Sequence, residues 1–193
     1  NIFLFYGENL GLKRDFKRKI KKELVNSETL NFVQEEIIKN QNILFNEIKN
    51  KSLFEEKRIF LLERCSEKIL EIVSEIYKNI GEDLIIINCG ILERKSKLRK
   101  NIESSNFSVI VPTYKDNAES LINIAKAFFN EKRISISFET LNLLVNRCKG
   151  DRGYLKHELG KISNYLLGKK SISLKEIFML TNLYENYSAS ELV

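Results

Sequence analysis

The sequence predicts an α/β domain built on a parallel sheet, followed by a small all-helical domain. Three observations carry this reading. Apolar runs of strand length alternate with segments of helical period as far as Val111. Beyond Pro112 only helical periods remain. One proline and eight glycines supply too few breakers for a many-turned all-β chain. A length of 193 residues allows one or two domains, and 43% hydrophobic with 30% charged residues can fill a core and solvate a surface.

The elements follow in order. Ile2 to Tyr6 is a buried-strand run that stops at Gly7. Residues 10–25 read helical, with Leu12, Phe16, Ile20 and Leu24 recurring every four residues. Thr29 to Val33 is a weaker strand, and residues 41–50 form a helix with Ile43, Leu44 and Ile48 as its stripe. Ile59 to Leu62 is a strand, and residues 66–79 are helical through Ile69, Ile72, Val73, Ile76 and Tyr77. Leu84 to Ile87 and Phe107 to Val111 complete the strands. Strands that alternate with helices imply a parallel sheet covered on both faces. Residues 117–130, 138–148, 152–167 and 174–183 are then helical by period. Pro112 and an exposed Thr113–Asn117 linker mark the boundary, giving domains at 1–115 and 116–193.

Charge separates neither half, at net +4 and +2 of a total of +6. That balance permits a polyanionic partner without demanding one. Cys65, Cys89 and Cys148 are odd in number and far apart, which fits a reducing compartment. With one histidine and no Cys-x-x-Cys, no metal site is expected. No apolar run reaches the roughly 18 residues of a membrane helix. No basic-then-apolar leader opens the chain. A cytoplasmic protein with no membrane contact is expected.

The turn after the first strand reads Gly7-Glu8-Asn9-Leu10-Gly11-Leu12-Lys13-Arg14. A phosphate loop would carry G-x-x-x-x-G-K-[ST] here. Gly7 and Lys13 stand at the right spacing. Leu12 replaces the second glycine, and Arg14 stands where a hydroxyl would hold Mg²⁺. Leu12 adds a Cβ where the backbone must close round a phosphate. Leu61-Leu62 runs into Glu63-Arg64 and Ile86-Ile87 into Asn88-Cys89, so neither strand ends in the Asp of a magnesium site. An ordinary strand–turn–helix with a glycine at its turn reads equally well. No cofactor and no catalytic residue are expected.

Lys51-Ser52-Leu53-Phe54-Glu55-Glu56-Lys57-Arg58 is the most informative stretch. Ser52 and Glu55 fit a capping box, which sets Leu53 and Phe54 in the first turn of a very short helix. Adjacent helical side chains point about 100° apart, so both do not easily enter one core. Two readings stand: a staple onto the local core, or an apolar plug for a partner's pocket.

Three segments together resemble one family. Leu4-Phe5-Tyr6-Gly7-Glu8-Asn9, Ser52-Leu53-Phe54, and Cys148-Lys149-Gly150-Asp151 with Leu155, Glu158-Leu159, Lys161 and Tyr165 are similar to the delta subunits of the bacterial DNA polymerase III clamp loader. The resemblance spans nearly the whole chain. It implies a degenerate AAA+-type, P-loop-like domain followed by a lid-type helical domain. It implies a subunit that binds and opens the sliding clamp for loading onto primed DNA without hydrolysing ATP. Leu53 and Phe54, supported by Ser52 and Glu55, become the clamp-binding residues. Partners would be the sliding clamp, the other loader subunits and DNA within the assembled complex, in the service of a DNA-directed DNA polymerase. Such proteins carry a third, collar domain. This chain stops at Leu192-Val193, where that domain would begin, and opens without methionine, so a fragment of domains one and two is expected.

Remaining features read blandly. Lys13, Arg14, Lys17, Arg18, Lys19, Lys21 and Lys22 form one basic cluster, and Arg94, Lys95, Lys97, Arg99 and Lys100 a second. Either can meet phosphate, though a solvated helix face is the simpler reading. His157 has no nucleophile near it in sequence, and Tyr154 and Tyr165 read as core. Two alternatives to the clamp reading stand: a divergent P-loop enzyme holding nucleotide through Gly7 and Lys13, and a free-standing basic nucleic-acid-binding protein.

Overall fold

The computed structural model describes residues 1–24, 27–50, 57–79 and 81–181. The chain divides into two compact units, Asn1–Tyr114 and Lys115–Val193.

The first unit is a five-stranded sheet. The strands are β1 (Ile2–Tyr6), β2 (Thr29–Val33), β3 (Ile59–Cys65), β4 (Leu84–Cys89) and β5 (Ser108–Pro112). All pairings are parallel and the order is β2-β3-β4-β1-β5. The apolar run Leu84–Ile87 sits at the centre of this order and is buried on both faces, as an interior parallel strand demands. Strand alternation divides the core in two. Ile2, Leu4, Ile85 and Ile87 face α2 (Gln34–Lys39), α3 (Asn42–Lys49), α4 (Leu70–Asn79) and α5 (Lys97–Glu103). Phe5, Ile59, Leu61 and Ile86 face α1 (Leu10–Glu23) through Phe16 and Ile20. The Phe5 and Phe16 rings stack at 5.5 Å.

The strands fall where the apolar runs predict, with β3 running on to Cys65. A register shift between Leu62 and Cys65 takes up the extra length, and Arg64 has φ 55°. Residues 66–79 are a 3-10 turn, Glu67–Ile69, leading into α4. Helices α2 and α5 have no counterpart in the sequence reading. Both are shorter than two full turns of clean periodicity. α5 is capped by its own Ser96, whose hydroxyl accepts the Arg99 amide at 3.0 Å, and is supported from outside: the Glu67 carboxylate accepts the Lys97 and Leu98 amides at 2.5 and 3.0 Å and the Ser96 hydroxyl at 2.5 Å. These bonds, the Ser96 hydroxyl first, lower the Glu67 pKa.

The second unit packs α6 (Ala118–Glu131), α7 (Phe138–Arg147), α8 (Arg152–Tyr165) and α9 (Leu174–Leu180) around Leu121, Phe129, Leu144, Leu159 and Ile177. Asn117, Ser137, Asp151 and Ser173 cap the four helices in turn. One parallel bridge joins Ser135 to Ser171. Tyr154 and Tyr165 are not core: each is 39% exposed, because they flank the stripe of Leu155, Leu159 and Ile162. In the Thr113–Asn117 stretch Tyr114, Lys115 and Asn117 are exposed, and Thr113 is not. Thr113 is fully buried and donates from its amide and hydroxyl to the Tyr6 carbonyl at 2.7 and 2.8 Å.

Candidate functional site

In a parallel sheet, ligands meet the carboxyl ends of the strands. At that end the chain turns from β1 into α1 through Gly7, at φ +125°. A Cβ on Gly7 would lie 2.3 Å from the Thr113 carbonyl oxygen, so the turn is closed against the end of β5. The Gly7 amide donates to the Gly90 carbonyl at 2.9 Å. Asn9 caps α1: its Oδ1 accepts the Leu12 amide at 2.9 Å, and its Nδ2 donates to the Tyr114 carbonyl at 2.9 Å. The helix N-terminus, where an anion would bind, is thus served by the chain's own carboxamide.

Lys13 completes this inward turn. It is buried, and its ammonium donates to the Gly7 carbonyl at 2.6 Å and the Cys89 carbonyl at 2.5 Å. Burial pulls its pKa down. Leu12 is half-buried and Arg14 exposed. Next to them Glu63 and Asn88 stand at the ends of β3 and β4. One Glu63 oxygen accepts from Lys17 at 2.7 Å and the other from the Asn88 amide at 2.9 Å. The carboxylate at this strand end is Glu63, where a magnesium site would carry Asp. Among the described residues no group of three His, Cys, Asp or Glu gathers as for a metal. Burial holds the thiol of Cys89 up, to about 12, and raises that of Cys65.

The other sequence-predicted site, Ser52, Leu53, Phe54 and Glu55, lies outside the described residues. The chain that follows it is anchored at Arg58. This residue, 2% exposed, donates to the carbonyls of Glu47, Ile48 and Asn50 at the end of α3, at 2.8, 3.3 and 3.3 Å. It also pairs with Asp83 at 2.8 Å, and its amide donates to the other Asp83 oxygen at 3.1 Å. Neither residue was singled out from sequence. A signal was present: each immediately precedes an apolar strand, and the β3–β4 register aligns Ile59 with Leu84, so the preceding cation and anion must meet.

In the helical unit the Cys148–Asp151 segment is a turn between α7 and α8. Gly150 has φ +82°, and a Cβ there would lie 2.9 Å from the Asp116 carbonyl. Arg152 forks onto Asp116 at 3.0 and 2.5 Å. Leu155 and Leu159 fill the core, and buried Glu158 pairs with Lys161 at 2.7 Å. His157 is exposed, its ring nitrogen 3.4 Å from Glu158.

No protein-family model and no curated protein matches the chain. Solved structures do. The Bacillus subtilis DNA clamp loader delta protein is 15% identical over 93% of this chain and 57% of its own, at a TM-score of 0.56. Domain III of the Thermotoga maritima replication initiation protein DnaA is 14% identical over 94% and 83%, at 0.52. The Thermotoga maritima RuvB Holliday junction branch migration motor is 12% identical over 95% and 61%, at 0.60. The fold is of the AAA+ P-loop type.

The chain therefore spans 57% of the clamp loader protein and 61% of the RuvB motor. A P-loop fold offers the turn after its first strand to a nucleotide. The residues present here do not fit one. Asn9 and Lys13 already bond to the backbone around them, and Glu63 has both oxygens engaged by donors. No described helix is long and apolar enough to cross a membrane.

Proposed function

We propose that this chain is the clamp-binding part of a clamp-loader delta-type subunit. It binds and opens the sliding clamp for loading onto primed DNA, within a DNA polymerase III holoenzyme, and hydrolyses no ATP itself. The observation that carries this reading is the AAA+ fold whose phosphate turn is filled from within by Lys13 and Asn9. Such a chain keeps the architecture of a motor subunit without its cofactor. The likeness to the Bacillus subtilis clamp loader delta protein supports it, as does the Ser52-Leu53-Phe54 resemblance.

The binding residues on this reading are Leu53 and Phe54, with Ser52 and Glu55 capping their turn. Replacing both Leu53 and Phe54 by Ala should weaken binding to a sliding clamp by at least about 2 kcal/mol, more than tenfold in affinity. Stability should fall by about 1 kcal/mol or less, the scale of surface changes. A core role predicts the reverse, several kcal/mol of lost stability from two cavities. Denaturant melts and a clamp-binding assay on one double variant separate the two. A stable variant that binds the clamp as well as the parent removes the assignment.

A further inference from the structure

Helix α1 holds seven Lys and Arg against two Asp and Glu within Leu10–Glu23, a net of +5. The whole chain carries +6. Nearly all of the protein's excess charge therefore sits on one helix. Lys13 and Lys17 are taken up at the strand ends, by two carbonyls and by Glu63. The other five, Arg14, Arg18, Lys19, Lys21 and Lys22, are exposed. Among the described residues none of these five forms an ion pair.

Arg14, Arg18, Lys21 and Lys22 recur at the i, i+4, i+7 and i+8 spacing of one helix face. Phe16 and Ile20 occupy the opposite side, against the sheet. Half-buried Asp15 lies beside the stripe, and exposed Glu23 follows it. Elsewhere this unit pairs four of its described cations with carboxylates. Asp83 holds Arg58, Glu75 holds Lys78, and Glu103 holds Arg99. In the second basic cluster Lys95 pairs with Glu93 and Arg99 also lies over the Tyr6 ring at 5.1 Å, while Arg94, Lys97 and Lys100 are exposed and form no ion pair among the described residues. Among the described residues, the α1 stripe is a run of cations that the fold does not neutralise.

We propose that this face of α1 binds the phosphate backbone of duplex nucleic acid, without regard to sequence. Four cations over eight residue steps extend about 12 Å, enough to span two or three successive phosphates of one strand. No exposed aromatic residue of α1 stands with them, since Phe16 packs on Phe5, so the surface lacks the stacking platform that a single strand uses. The proposal does not rest on clamp binding.

The test is fluorescence anisotropy of a labelled random-sequence duplex of about 20 base pairs, from 50 to 200 mM salt. Two variants of equal net charge are compared. The first is Arg14→Gln, Arg18→Gln, Lys21→Gln, Lys22→Gln. The second is Arg94→Gln, Lys95→Gln, Lys97→Gln, Lys100→Gln. The α1 variant should bind at least about tenfold more weakly, and its salt slope should fall by about two to three, close to one for each phosphate no longer neutralised. The second variant should stay within about threefold of the parent. The double change Arg18→Gln, Lys22→Gln gives the same reading at half the effect, should the fourfold variant fold poorly. Equal losses in both fourfold variants would reduce the effect to net charge and overturn the proposal. So would a parent that does not bind at 50 mM salt, or a single strand of equal length bound tenfold more tightly than the duplex.

Discussion

The two ends of one sheet each bury a cation, and they do so differently. Before β3, the guanidinium of Arg58 meets the carboxylate of Asp83 and three carbonyls at the end of α3. After β1, the ammonium of Lys13 meets the carbonyls of Gly7 and Cys89, while the nearby Glu63 carboxylate is held by Lys17 and Asn88. A planar fork with five donors can tie a helix end to a strand and still form an ion pair. A compact ammonium fits the smaller space inside a turn. The first arrangement is a structural clasp between the end of α3 and the starts of β3 and β4. The second occupies the position where a P-loop protein would hold phosphate.

Removing the clasp should have the largest effect. Arg58→Ala leaves Asp83 buried without its partner, and breaking such a pair by one member costs about 3–5 kcal/mol. A urea denaturation midpoint measures it. A loss below about 1 kcal/mol would mean that water replaces the guanidinium and that the two ends are not as unlike as their contacts imply.

Lys13→Met should come next. It keeps the apolar stem and removes the charge, leaving two buried carbonyls without donors, at about 1–3 kcal/mol. Calorimetry with Mg-ATP should be flat for parent and variant alike. Binding in the parent that disappears in the variant would return Lys13 to phosphate duty and revive the nucleotide-binding alternative.

The smallest effect tests the comparison from the exposed side. Glu176, in α9, is held down to about 2 by the Ser173 amide, Lys169, the Ser173 hydroxyl and the Tyr165 hydroxyl. Its pKa is depressed in the folded state, so its contribution is present above the ordinary carboxylate value of about 4.3 and is lost as pH falls from there toward 2. The parent should melt above Glu176→Gln at pH 6, and the gap should close by pH 2. A gap that does not change with pH would show that the network contributes packing and no charge. Being solvent-exposed, it should matter less than either buried cation.

Local pattern carried much of this fold into the sequence. The strands announce themselves because interior parallel strands are apolar on both faces, as Leu84–Ile87 is. The caps Asn117 and Ser173 stand directly before apolar periods. Helices α2 and α5 are not legible because six or seven residues hold too little periodicity, even though Ser96 stands as a local cap before α5. Tyr154 and Tyr165 read as core in the sequence and are half-exposed in the structure, because an aromatic at the edge of an apolar stripe has the same spacing as one within it.

At the candidate site, the sequence by itself determined which residue types stand at the loop positions. Leu12 and Arg14 in place of glycine and hydroxyl are legible as residue types, and no folding restores them. What fills the turn instead was decided by tertiary structure. Lys13 reaches Cys89, 76 residues away, and Asn9 reaches Tyr114, 105 residues away. Arg58 and Asp83 are 25 residues apart and meet because two parallel strands begin in register. Each directly precedes an apolar strand, which the sequence shows, but the register that joins the two strands is set by the whole packed layer.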